Sequence, residues 1–155
     1  MKGGIEILVS YPALFFFDDS DSLEASYQVY IPDLDAMTQG HDISDSIFMA
    51  SDLLGIRLAD DIENERSIAE PSDINSLSLE KNRPFQDDVD FKFTFNAAKS
   101  FISMVSVELD EYLSANEPIK KTLTIPKWAD KLGKELHLNF SKTLTDAIVE
   151  KKIGV

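Results

Sequence analysis

The chain changes character at Pro118, and the 38 residues from there to Val155 are the part whose folding is most constrained. They open on an alternating stretch, Lys120-Lys121-Thr122-Leu123-Thr124-Ile125, closed by Pro126. As a strand it turns Leu123 and Ile125 to one side and Lys120, Thr122 and Thr124 to the other. Pro126 ends the strand and suits the first turn of a helix. Trp128, Leu132 and Leu136 then stand four apart, an apolar helical stripe. Leu138-Asn139 ends that helix, since asparagine tolerates the left-handed conformation. A second helix starts at Phe140-Ser141, with Ser141 as its N-cap and Leu144, Ala147 and Ile148 as its buried face; Gly154 lies past its end. A lone strand has nothing to pair with, and segments under about 40 residues seldom bury enough surface to fold alone. A second copy of the chain resolves both difficulties: two strands pair antiparallel and four helices close a shared core.

Charge divides at the same place. Residues 118–155 hold eight lysines against four acids, a net of +4, whereas residues 1–117 hold seven Lys/Arg against 24 Asp/Glu, a net of −17. Spread evenly, the overall −13 would repel nucleic acid and anionic lipid. Segregated, it suggests two partners of opposite charge. The chain has no cysteine, which excludes disulfides, thiolate catalysis and cysteine zinc sites. No apolar run approaches the ~18 residues of a membrane span. The start of the chain lacks the pattern of a secretory signal, so the expectation is a cytoplasmic protein with no membrane partner.

The acidic part alternates between strand and helix signals. Ile5 to Phe17 is β-branched and aromatic, with Pro12 marking a bulge or an edge position. Asp18 to Ser22 is a polar turn, Tyr27 to Ile31 a second strand, and Met37 to Gly40 a third. Asp42-Ile43-Ser44 offers caps for a helix whose stripe is Ile47, Ala50, Leu54, Leu58 and Ile62. Ser67 to Asp90 has little periodicity and is long for a connection inside a compact domain. Phe91, Phe93 and Phe95 alternate as in a half-buried strand. Phe101, Ser103, Val105, Val107 and Leu109 form one face of another, with Ile102 and Met104 on its reverse. The expected architecture is α+β, in the order β-β-β-α-β-β, an antiparallel-rich sheet with one main helix. The domain boundaries follow: residues 1–113, a linker at 114–118, and 119–155.

A two-stranded ribbon fits the major groove of B-DNA, where Lys120, Thr122 and Thr124 can reach base edges. Free amides at the start of the last helix, around Asn139, Phe140, Ser141 and Lys142, can hold a phosphate. Strand, proline, helix, turn and capped helix, in that order, make residues 120–152 resemble the ribbon-helix-helix family of dimeric DNA-binding modules. Ahead of it stand Tyr11-Pro12-Ala13, Tyr27 and Val29, Pro32-Asp33-Leu34, Thr38-Gln39-Gly40, Ala50 and Leu53, then Ile68 and Pro71-Ser72. That ordered set, together with the tail, resembles the HicB family of antitoxins over nearly the whole chain. The sequence departs from the family at Glu24-Ala25-Ser26, at Asp35-Ala36-Met37 and in the long 67–90 stretch.

The resemblance implies a partial RNase H-like domain without nuclease activity and without a cofactor. It also implies a HicA-type ribonuclease toxin as partner, operator DNA as a second partner, and a homodimer through the C-terminal module. Tetramers joined through the N-terminal sheet are a further option. Tyr27, Tyr30, Asp33 and Asp35 are candidates for toxin contact, with packing an equal claim on the tyrosines. A −17 module suits a cationic RNA-binding partner. Two other readings stand beside this one. A freestanding ribbon-helix-helix regulator would need an apolar ligand pocket in its N-terminal domain. An RNase H-like hydrolase would need three or more carboxylates converging on a metal. No residue is assigned to catalysis or to a metal: His41 and His137 lie far apart, and most of the aspartates read as a solvated face.

Overall fold

The computed structural model describes residues 7–19, 26–91, 93–113 and 119–154. The expected linker 114–118, most of the turn after Asp19 and the first residues of the opening strand lie outside them. Four strands form one antiparallel sheet: β1 (Leu8–Phe17), β2 (Tyr27–Ile31), β3 (Ala36–Gly40) and β4 (Phe101–Glu108), in the order β3-β2-β1-β4. Helix α1 (Ile43–Glu63) covers one face, and helices α2 (Lys127–Glu135) and α3 (Phe140–Ile153) make up the tail. The class is α+β, as expected.

The register of β1 against β4 is unbroken from Leu8↔Glu108 to Phe15↔Phe101, so Pro12 opposite Met104 makes no bulge. Its nitrogen needs no partner on the other side, because β2 pairs with β1 only from Leu14 onward. Alternation along β1 turns Val9, Tyr11, Ala13 and Phe15 toward α1, where they meet Val29, Ile31, Val105, Val107 and Leu109 in a single core.

The helix carries a correction. Its buried stripe is Ser46, Ala50, Leu54 and Leu58, and Ile47 is 40% exposed. The cause lies at Gly40: β3 and α1 approach so closely there that only a residue without a Cβ, facing a small serine, fits. Asp42 caps the helix by accepting from the Asp45 amide at 2.8 Å, as the sequence predicts.

The alternating phenylalanines carry another. Residues 91 and 93–95 form no strand, and the sheet has four strands where the sequence predicts five. Phe93 and Phe95 instead pack edge-on against Phe16, at 4.8 and 4.9 Å between ring centroids. The connection from Ser67 to Ser100 thus contributes rings to the back of the sheet. Leu14 and Phe16, which face away from α1, are as buried as the core. At its start the same connection is tied down by Tyr11, whose hydroxyl donates to the Ala69 carbonyl, and by Ser72, whose amide donates to Asp33 at 2.9 Å. Period-two phenylalanines share one face whether or not their backbone is paired, so the pattern alone does not separate the two cases.

In the tail, α3 is capped by Asn139, whose side chain accepts from the Lys142 amide at 3.1 Å; the cap is not Ser141. The left-handed residue after α2 is His137 (φ 55), not Asn139. Gly154 closes α3 at φ 82, as expected. Residues 119–126, where the sequence predicts a strand at Lys120–Ile125, form none within one chain, because among the described residues no strand lies beside them to pair with.

Gly40→Ala tests the contact that sets the helix against the sheet. The new Cβ would lie 2.5 Å from Ser46 Oγ and 2.6 Å from its Cα. Urea unfolding should show a loss of about 1–3 kcal/mol, the ordinary cost of overpacking. An unchanged midpoint would mean that the approach is looser than described.

Candidate functional site

The tail presents an unfilled apolar surface. Ile119, Leu123 and Ile125 share one apolar groove with Phe140, Leu144 and Ile148. Leu123 and Ile125 therefore face α3, as the alternation predicts, and Lys120, Thr122 and Thr124 lie exposed outside the groove. The expectation that Leu144, Ala147 and Ile148 form a buried face is not met within one chain: all three are exposed, Ile148 at 60%. Trp128, Leu132 and Leu136, the stripe of α2, are exposed as well. The opposite side of α3 is the covered one, with Asp146 buried and Val149 and Ile153 packed against the main core.

The residues at the start of α3 are brought together, each with a local role. Asn139 is the cap. The Phe140 ring sits over Gly133, where an added Cβ would lie 2.5 Å from it, and this holds the α2–α3 corner. The Ser141 carbonyl accepts from the Thr145 hydroxyl at 2.9 Å. Lys142 Nζ lies 3.3 Å from Asp146 Oδ1, so an anion bound at this helix start shares the lysine with a buried carboxylate.

The four N-terminal candidates separate. Tyr27 is in the core, its ring edge-on to Phe17 at 5.1 Å and its hydroxyl toward the Lys99 carbonyl. Asp33 is engaged by both the amide and the hydroxyl of Ser72, and so anchors the 67–72 segment to the β2–β3 turn. Tyr30 and Asp35 lie on the opposite side of β2 from Tyr27, and the Tyr30 hydroxyl donates to Asp35 Oδ1 at 2.8 Å. Asp35 is itself left-handed (φ 46). These two line a groove of mixed polar and apolar character together with Met37, Arg83, Phe85, Asp87 and Asp88. The part played by residues 83–88 is not legible in the sequence, because nothing in an aperiodic loop says which strand it lies beside. The groove is lined by charged and amide side chains as well as rings, unlike the apolar pocket that a ligand-sensing regulator calls for. Among the described residues no three His, Asp or Glu side chains gather as a metal site. No helix among them is long and apolar enough to cross a membrane.

Burial, and after it the Asp35 hydrogen bond and charge, pushes the Tyr30 phenol up to about 12. Burial likewise raises Tyr11 and Tyr112, with carboxylates nearby adding to the effect.

No protein-family model matches the chain, and no curated protein does. Solved structures do match, two antitoxin-related chains among them. A chain of a toxin–antitoxin complex from Streptococcus pneumoniae is 60% identical, over 94% of this chain and 100% of that one, with a TM-score of 0.68. The antitoxin HicB of Burkholderia pseudomallei, at 21% identity, shares the fold with a TM-score of 0.51, over 92% of this chain and 98% of that one. The chain belongs to the HicB family of antitoxins. The likeness runs through both the acidic and the basic part of this HicB-family chain.

The Tyr30–Asp35 pair gives a titration test. With its folded pKa above the ordinary value of 10, the phenol contributes stability that is complete below pH 10 and lost as pH rises from 10 toward 12. Ultraviolet titration of Asp35→Asn should bring the Tyr30 midpoint part of the way back toward 10, because burial, the larger cause, remains. A midpoint that does not move would deny the hydrogen bond.

Proposed function

We infer that this chain neutralises a HicA-type ribonuclease by covering it with residues 1–113, and that residues 119–155 pair as a ribbon-helix-helix dimer that represses the chain's own operon. The reading places it in the cytoplasm and assigns it no chemistry of its own. One observation carries the dimer: the apolar groove of Leu123, Ile125, Leu144 and Ile148, with the α2 stripe beside it, is open in a single copy. Fully burying one such side chain is worth roughly 1.5–3 kcal/mol. A second copy offers the same groove by symmetry, which a twofold interface requires. Two segments 119–126, each without a strand partner, then supply one another. Lys120, Thr122 and Thr124, left outside the groove, become the outer face of the ribbon. The toxin half rests on family membership and on charge: a −17 module attracts a basic ribonuclease and repels nucleic acid, so the two functions do not compete for one surface.

Operator binding is tested by mobility shift with specific and random duplexes. Thr122→Ala/Thr124→Ala should lose discrimination, at about 1–3 kcal/mol for each good base contact removed, while Lys142→Ala weakens all duplexes alike. Equal loss on both duplexes from both variants would remove the base-reading assignment. Toxin neutralisation is tested by co-expressing residues 1–117 with the toxin. Growth should be rescued; continued killing by toxin in the presence of a folded fragment would contradict the role given to the N-terminal domain.

A further inference from the structure

The geometry points to the ridge Phe85–Phe91 as the surface on which the N-terminal domain meets a cationic protein partner. This rests on the toxin-binding reading above and says where on the domain that binding takes place. The ridge is the outer end of a file of rings that begins in the core. Phe16, 1% exposed on the back of β1, meets Phe93 and Phe95 edge-on. Phe91 follows at 6.5 Å from Phe93, and Phe85 at 5.0 Å from Phe91. Exposure rises along the file to 49% at Phe91 and 54% at Phe85, and Val89 between them stands 92% open. The inner rings close the back of the sheet; the outer ones leave about half of their surface in water.

What lies between them selects the partner. Phe85-Gln86-Asp87-Asp88-Val89-Asp90-Phe91 has three carboxylates and no basic residue, and all seven side chains are exposed. Contiguous exposed apolar side chains rimmed by polar residues are characteristic of protein contact surfaces. Aromatic faces flanked by carboxylates suit guanidinium and ammonium groups, which stack on the ring and pair with the acid. A second copy of this domain would set acid against acid. The ridge is also preformed. One end is held by Phe93 and Phe95 on Phe16 and by the Asn96 amide on the Phe17 carbonyl at 2.9 Å. The other end is held by mutual bonds between Ser78 and Asn82. Binding there demands little ordering of the loop. Arg83 and Lys81 stand at its root, so the negative charge is concentrated at the tip.

The test uses the full chain and a purified HicA-type toxin carrying an inactivating substitution in its active site, titrated calorimetrically at two salt concentrations. Phe85→Ala/Phe91→Ala should weaken binding at least tenfold. Asp87→Asn/Asp88→Asn should weaken it mainly at low salt. Val89→Lys, at a side chain with almost no packing to lose, should weaken it with the melting temperature unchanged, which separates contact from folding. If wild-type protein binds and all three variants bind as tightly, the ridge is not the contact, and the toxin reading stands without it. If wild-type protein does not bind, the toxin reading fails and the ridge proposal with it. Altered self-association of the variants with unchanged toxin affinity would make the ridge a contact between copies, and would also overturn the proposal.

Discussion

Ten large apolar side chains between Ile119 and Ile148 remain open to solvent in one copy of the chain. Six of them, from residues 119–125 and from α3, line one groove, and the stripe of α2 is exposed beside it. A 36-residue segment has too little interior to enclose them, whatever its local propensities. The helices themselves are well specified. Asn139 caps α3, Gly154 closes it, Phe140 fixes the corner over Gly133, and Asp130 and Lys134 pair at 2.9 Å along α2. The two helices are therefore locally complete, while apart from Val149 and Ile153 on the main core their apolar faces are uncovered; on the reading proposed above, folding of this part and dimerisation become one process.

The acidic domain is in the opposite state. Its sheet is sandwiched between α1 and the phenylalanines of the 67–100 connection, and β1 is buried on both faces. Tyr11 on Ala69 and Asp33 on Ser72 tie the start of that connection to the strands, and Asn96 on Phe17 ties its end. Anchored at both ends, the middle is free to project. A rigid base with a short exposed tip is how a domain holds a binding loop without a large entropic cost on association.

Much of this was legible in the sequence where the signal was local. Tyr27–Ile31 alternates and is a strand at those bounds, Asp42 caps α1, and Gly154 ends α3. What escaped was decided by tertiary contact. Phe91, Phe93 and Phe95 keep strand spacing because their rings share a target, Phe16 and one another, and not because their backbone pairs with a neighbour. Ser46 displaced Ile47 from the buried stripe because Gly40 leaves room only for a small residue. His137 takes the left-handed position two residues before the asparagine to which the sequence assigns it, and Asn139 serves as cap in place of Ser141. Of the candidate toxin contacts, Tyr27 and Asp33 have structural partners, whereas Tyr30 and Asp35 share a groove with residues 83–88 that sequence distance hides.

The central claim is that the tail attains its tertiary structure only between two copies. Sedimentation equilibrium on the full chain at micromolar concentration, beside Leu144→Asp/Ile148→Asp, tests it most directly. The account predicts a dimer for the wild-type chain, and for the variant a monomer whose N-terminal domain melts as before. A wild-type monomer with a helical, protease-resistant tail would contradict it.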